Sequence, residues 1–475
     1  MKLTLLPFLL IPFLATSCDN NEYDFKGITF AVFADNQIHP NTPQYTGFLK
    51  NHLKLCKEKG VDAIIIPGDL VNNADQNQYA TFENALKEIY GDDETNYPEF
   101  IYSMGNHEWY TNDERTDENA VYLFNRHARI KTDSLVKRTT IKTTTKDASY
   151  YGNYYKVIND IPFIAISGES PSGILSYYSR DEIKSWLKEI QELPSVKAGG
   201  PIFVSYHYAF PDVTYSFGQG GAENARALYD ILKEYPQVIL FSGDTHYSGV
   251  NERTINQVDF TDINLGSSSY SRHVSRSVTM GKDEYFANIN QASYGKDTLI
   301  GEVAEGYNKT PHIHFVTIDK KGNTCIDRYF STSDVSNPIH LGLQWNISSH
   351  PSKDTFVYTS KRYENKDWAN KMYGKDGLLW NEDASLDYSV NSGNMTIYFP
   401  DVIDYNYCEH YRIIITSNDE KTYKYDFVSH YYKSESNSHQ YSFPINDIDF
   451  EIKKVEVFAY DFFDNISINH LEKIF

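Results

Sequence analysis

The chain of 475 residues is long enough for roughly two or three domains, and 40% hydrophobic content suffices for ordinary cores, which excludes a disordered protein. A formal net charge of -20 and a pI near 5.2, with no long Lys/Arg run, argue against a general nucleic-acid-binding or anionic-membrane surface. The 39 tyrosines fit β-rich cores and strand faces better than a carbohydrate- or base-stacking surface.

Residues 1–17 read as an export signal. One early Lys precedes an apolar run from Leu3 to Phe13 and the small residues Ala15, Thr16 and Ser17, and the run is too short to span a membrane. Small residues directly before Cys18 resemble a bacterial lipobox. That resemblance implies a lipidated Cys18, a tether over residues 18–26, and an exported protein held to the cell envelope by its lipid. Ala15 departs from the pattern, which usually carries Leu there. The other reading is plain secretion with cleavage near Ser17. Cys56, Cys325 and Cys408 show no CxxC spacing, so neither a zinc ribbon nor a redox pair is indicated. Cys56 falls on an apolar helical face, and nothing in the sequence supports a bridge between Cys325 and Cys408.

From Gly27 the pattern alternates. Strands are expected at Ile28 to Ala34, Val61 to Ile66 and Phe100 to Met104, with helices at Gln44 to Lys59 and Gln78 to Tyr90 between them. Residues 111–150, rich in Thr, Lys, Asp and Asn, read as an insertion or loop beside the site. Strands resume at Tyr154 to Ile158, Phe163 to Ile166, Ile202 to Tyr206 and Val238 to Phe241, with helices at Asp181 to Leu193 and Glu223 to Tyr235. Such alternation predicts parallel strands with crossover helices, an α/β domain over residues 27–330 whose ligands gather at the carboxyl ends of the strands. Residues 331–338 read as a linker. Beyond them short alternating strands recur, among them Met395 to Phe399, Tyr411 to Thr416, Tyr423 to Val428 and Val455 to Ala459, which predicts a smaller β-sandwich over 339–475 in an accessory or substrate-presenting role.

Five of the expected strands run into side chains that bind metals. The ends carry Asp35, Gly68-Asp69, Gly105-Asn106-His107-Glu108, His207 and Gly243-Asp244-Thr245-His246. A lone Gly-Asn turn or a lone His207 would be unremarked, the second as a core histidine. Asp, Asn and His at several adjacent strand ends are instead the donor set for two divalent ions about 4 Å apart that share one carboxylate.

In this order the residues resemble the calcineurin-like metallophosphoesterase superfamily, whose pattern is DxH, GDxxx, GNHE, a lone His, and GHxH. The resemblance covers roughly residues 27–330 and implies a metal-dependent hydrolase of phosphomonoesters or phosphodiesters, using hydroxide generated by two ions. It implies that Asp69 bridges the ions, that Asp35 and His246 bind the first, and that Asn106 and His207 bind the second. His107 would be the general acid and Glu108 would hold its imidazole.

Two positions depart from the pattern. Gln37 stands where DxH has its His and offers only a neutral amide oxygen, while Asp244 replaces the first His of GHxH, as in some phosphatases and phosphodiesterases of the superfamily. Both changes enrich the shell in oxygen, which among manganese, magnesium, iron and zinc favours manganese or magnesium. Asn264, Arg272 and His273 are candidate contacts to the phosphorylated substrate, whose identity the sequence leaves open. The competing reading, suggested by Gln37 and the tyrosine content, is a catalytically degenerate surface lipoprotein that binds glycan or peptide. Nothing in the sequence bears on oligomeric state.

Overall fold

The computed structural model describes residues 23–110, 117–127, 137–138, 141–142, 149–150, 152–210, 213–214, 222–270, 311–331, 338–363, 377–403, 407–429, 438–444, 451–463 and 465–475. Cys18, Arg272, His273, most of the 111–150 insertion and nearly all of the 331–338 linker lie outside the described residues.

In chain order the first half runs β1 (Ile28–Val32), α1 (Pro43–Lys59), β2 (Ala63–Pro67), α2 (Gln76–Tyr90), β3 (Glu99–Ser103) and α3 (Asp117–His127). It continues with β4 (Tyr154–Ile158), β5 (Ile161–Ile166), α4 (Tyr177–Ile190), β6 (Ile202–Tyr206), α5 (Ala222–Leu232), β7 (Val238–Ser242), β8 (Ile255–Gln257) and β9 (Thr261–Asn264). Then come β10 (His312–Ile318), β11 (Thr324–Phe330) and β12 (Ile339–Ile347). Two sheets result. One has the order β12-β11-β10-β1-β2-β3, and the other β8-β9-β7-β6-β5-β4 with Lys137–Arg138 at its far edge.

The expected parallel pairing holds for β1-β2-β3 and for β5-β6-β7-β9. The edges are antiparallel, at β4, β8 and the β10-β11-β12 meander, so both sheets are mixed. Alternation along the strands explains the layering. Phe30, Val32, Ala63, Ile65 and Ile101 of one sheet face Phe163, Ala165, Phe203, Ile239 and Phe241 of the other. The Phe30 ring meets Phe203 edge-on at 4.7 Å and Phe163 at 5.2 Å. The opposite faces pack on helices, Ala31, Ile64, Ile66 and Phe100 against α1, α2 and α3, and Ile164, Val204 and Leu240 against α4 and α5. Local signals end the helices where expected. Pro43 opens α1 and Gly60, at φ 60°, closes it, while Asp75 caps α2 by accepting from Asn77 N and Gln78 N. The helix predicted over 181–193 starts earlier, capped by Ser176, and stops at Ile190 because Pro194 begins a separate turn.

The domain boundary needs correction. Strand β12, assigned from sequence to the sandwich, pairs with β11 as the edge of the first sheet, and Trp345 is buried between the two sheets. Tyr358 belongs to the same core. The sandwich follows as β13 (Asp387–Asn391), β14 (Asn394–Pro400), β15 (Cys408–Ser417), β16 (Thr422–Val428), β17 (Ser438–Pro444), β18 (Ile452–Asp461) and β19 (Leu471–Ile474). Its two antiparallel sheets are β13-β14-β17 and β16-β15-β18-β19, and they enclose Met395, Ile397, Phe399, Ile413, Ile415, Val455 and Val457. Cys56, Cys325 and Cys408 are free thiols. No helix among the described residues is long and apolar enough to cross a membrane.

Three buried histidines near the first sheet set an acid limit on the fold. Burial pushes the His52 and His312 imidazoles down to about 3 and about 4, and burial with His312 and Arg328 nearby holds His314 well below the ordinary value. Below about pH 6.5 the unfolded chain takes up protons at these groups and the folded chain does not. Their stabilisation is therefore full above that pH and is lost as pH falls, by about 1.4 kcal/mol per pH unit for each group. Denaturant midpoints measured from pH 7 downward should fall more steeply for the natural chain than for His52→Phe; parallel curves would show that His52 takes up its proton in the folded state.

Candidate functional site

The carboxyl ends of β1, β2 and β3 in one sheet and of β6 and β7 in the other meet along one edge, so the five predicted loops come together across the gap between the sheets. The backbone there is unusual. Asp35, Gln37, Asp69, Asp244 and His246 all have positive φ, at 57°, 47°, 53°, 66° and 57°. Side chains other than glycine reach this region at a cost of about 1 kcal/mol or more, and such strain gathers where the surrounding structure dictates a geometry. The loops also approach closely. A Cβ on Gly105 would lie 2.2 Å from Asp69 Oδ1, and one on Gly243 would lie 2.3 Å from Asp35 Oδ2, which explains the glycines in two of the motifs.

One cluster centres on His207, buried at the end of β6. Its Nδ1 lies 2.8 Å from the carbonyl of Pro67 and donates to it, so a neutral ring has its lone pair at Nε2. That lone pair faces Asn106 Oδ1 at 3.0 Å, Asp69 Oδ2 at 3.3 Å and Asp244 Oδ1 at 3.8 Å. With the ring neutral, four acceptors converge here, and either a proton on Nε2 or a cation between them is needed to satisfy them. Ligands about 2.1 Å from a shared cation sit about 3.0 Å apart in an octahedron and about 3.4 Å apart in a tetrahedron, so the spacing fits an ion.

The charges agree. Burial opposes ionisation of Asp69, but His207 and His107 outweigh it and lower its pKa to about 2. Burial alone would lower the His207 value, yet Asp69, Asp35 and Asp244 raise it well above the ordinary value. Asp244 is pushed up to about 6 by burial, with Asp35 and Asp69 adding to the rise against the opposing pull of His207. Without a cation this centre holds a surplus of negative charge.

The second cluster is built on Asp35 and His246. His246 Nδ1 lies 3.1 Å from the carbonyl of Tyr270, whose ring stacks on the imidazole at 4.2 Å, so Nε2 again presents a lone pair. It faces Asp35 Oδ1 at 3.3 Å and accepts from the Gln37 amide nitrogen, Nε2, at 3.4 Å. The donor atoms of Asp35, Asp69 and His207 lie within 4.8 Å of one another, which joins the two clusters through Asp69. Gln37 therefore reaches the site, while His39 turns away to accept from Asn41 N.

Two expected roles change. Glu108 does not hold the His107 imidazole, whose Nδ1 lies 2.7 Å from the Asn72 carbonyl instead. The short turn His107–Trp109 sends Glu108 inward, where its carboxylate accepts from Asp69 N, Leu70 N, Gly105 N and the Tyr102 hydroxyl at 2.7 to 2.8 Å and from Val71 N at 3.3 Å. Asn264 does not face substrate. It is fully buried and donates to Gly243 O and Thr245 Oγ1 while accepting from Gly266 N, so it shapes the loop that bears Asp244 and His246.

Other supports escaped sequence reasoning. The carbonyls of Pro67, Asn72 and Tyr270 fix three imidazoles, and a backbone group leaves no trace in side-chain identity. Ser267 and Ser269 donate to the Asp35 carbonyl at 3.0 and 2.6 Å. Because Glu108 satisfies several buried donors, Glu108→Ala should cost on the order of 3 kcal/mol or more in denaturant unfolding, whereas His107→Ala should cost under about 1 kcal/mol. Equal losses would remove the distinction between the two residues.

No curated protein matches the chain. Among solved structures it is similar to "GAP50 the anchor in the inner membrane complex of Plasmodium", at 16% identity and a TM-score of 0.43, over 69% of this chain and 90% of that one, a likeness too distant to carry an argument. Residues 28–248 match the family described as calcineurin-like phosphoesterase, and the match spans every loop from Asp35 to His246. The chain thus carries a calcineurin-like phosphoesterase domain over residues 28–248, in which Asp35, Asp69 and His207 form a cluster able to hold a metal ion.

Proposed function

We propose that the chain hydrolyses phosphoester bonds at a centre for two divalent ions, with His107 as general acid. The observation that carries this reading is the convergence of Asn106 Oδ1, Asp69 Oδ2 and Asp244 Oδ1 on His207 Nε2, at 3.0, 3.3 and 3.8 Å. Asp35, His246 and Gln37 would hold one ion, Asn106, His207 and Asp244 the other, and Asp69 both. Bound there, the ions supply Lewis acidity, which acidifies water and neutralises charge on a phosphoryl group.

The remaining work falls to this chain's own side chains. With Nδ1 committed to the Asn72 carbonyl, His107 turns Nε2 toward the centre, 3.8 Å from Asp69 Oδ2. That separation is too long for a hydrogen bond, and because Nδ1 donates to the Asn72 carbonyl, it is the imidazolium form of His107 that would carry an Nε2 proton for the leaving oxygen of an ester. The side chain is 24% exposed, in contrast to the buried His207, which supports a role facing substrate. The His107 backbone N donates to Asp69 Oδ1 at 2.9 Å, which holds the acid and the shared carboxylate in fixed relation. Three carboxylates make the centre less positive than two would, and its oxygen-rich donor set suits manganese or magnesium.

His107→Ala should retain its bound metal and lose about 100-fold or more in kcat on esters of alkyl alcohols, with a smaller loss on nitrophenyl esters, whose leaving groups need no proton. A loss independent of leaving-group pKa would sink the acid role. Metal uptake without turnover of any monoester or diester would favour the binding-protein reading instead.

The double variant Gln37→His, Asp244→His should shift preference toward zinc, read as metal content after dialysis against equal manganese and zinc. An unchanged metal ratio would show that these two positions do not ligate.

A further inference from the structure

Behind His246 the chain does not return to the surface. Residues 245–257 are buried throughout although those before Ile255 lie outside the sheets' strands, an unusual course for a loop because its backbone polar groups must then find partners inside the protein. Those partners come from later in the chain. Arg328 Nη1 donates to the carbonyls of Gly249 and Val250 at 2.9 and 3.2 Å. Arg362 donates to the carbonyls of Glu252 and Ile255 at 3.1 and 2.6 Å.

The same segment is built into the sandwich. Val250 belongs to the sandwich's apolar core, with Leu378, Trp380 and Phe463. Arg253 forms an ion pair with Glu409 of β15, and both side chains are at most 4% exposed. Asn251 Oδ1 accepts from Arg253 N and Nε at 3.0 and 3.2 Å, which fixes the guanidinium toward that carboxylate.

We infer that the C-terminal sandwich is part of the metal-holding apparatus, with Glu409 a positioning residue that sets His246 through Arg253 and the buried 247–252 segment. The inference rests on the two-ion reading above. His246 is two residues from Ser248, whose Oγ lies 3.2 Å from His312 Nε2, and from there to Arg253 every residue is buried. Interiors are close-packed, so a segment held in this way transmits a displacement at one end to the other. Removing the Glu409 charge takes one counter-ion from the buried Arg253 guanidinium, which favours a displacement of the segment that carries it.

The test is calorimetric titration of metal-free full-length protein with Mn²⁺. Loss of the phase in His246→Ala identifies the Asp35 and His246 site in the natural chain. Glu409→Gln should weaken that phase about tenfold, the usual scale for supporting groups behind a ligand, and leave the other phase within about twofold. If Glu409→Gln does not fold, Glu409→Asp, which keeps the charge but shortens the reach, should weaken the same phase alone. Two unchanged phases, or equal weakening of both, would overturn the inference, since a merely structural role lowers both together. A natural chain that takes up no Mn²⁺ would overturn the two-ion reading itself, and this inference with it.

Discussion

A single carboxylate fixes the relation between two of the loops that make the site. Glu108 leaves the turn after β3 and gathers backbone N–H groups from the turn after β2, with Gly105 N from its own loop and the Tyr102 hydroxyl behind it. Burial and the neighbouring Asp69 charge raise its pKa, so the arrangement stands only because those donors compensate for lost hydration. Asp69 is thereby brought against the His107 backbone and the His207 ring.

The site also depends on how two sheets pack. Asp35, Asp69 and Asn106 follow strands of one sheet, while His207, Asp244 and His246 follow strands of the other. The stacked rings of Phe163, Phe203 and Phe241 against Phe30 set the separation between the sheets, and with it the span across which the donors converge. Asp244 N donates to both Asp35 carboxylate oxygens at 3.1 Å, a bond that closes the gap directly. A centre made in this way has no existence within either half of the domain.

Much of this was legible from residue order. Apolar runs ending in Asp, Gly-Asp, Gly-Asn-His-Glu, His and Gly-Asp-Thr-His mark strand ends, and the alternating pattern places those ends on one edge. What could not be read falls into distinct physical kinds. The family resemblance assigned Glu108 to the His107 imidazole, yet consecutive residues in a tight turn point in different directions. Strand β12 alternates in the same way whether it joins the first sheet or the sandwich; only its pairing with β11 decides. Asn264 is polar and near the motifs, but its amide is consumed by loop backbone. The antiparallel edges of both sheets are settled by contacts between distant strands, such as β1 with β10, that local pattern does not encode.

The left-handed backbone at five site positions restricts how such a centre can change over time. Among residues with a side chain, Asn, Asp and His are the types that most often occupy that region, because short polar groups bond back to their own backbone. A ligand position held there can exchange among these types while the loop keeps its course, whereas a longer or branched replacement requires the loop to be rebuilt. The aspartate at position 244, where the superfamily pattern has histidine, lies within this permitted set at φ 66°. Gln37, at φ 47°, lies outside it, which makes it the position where the backbone and the side chain are least matched. The drift of ligands in this chain is thus bounded first by backbone geometry and only then by coordination chemistry.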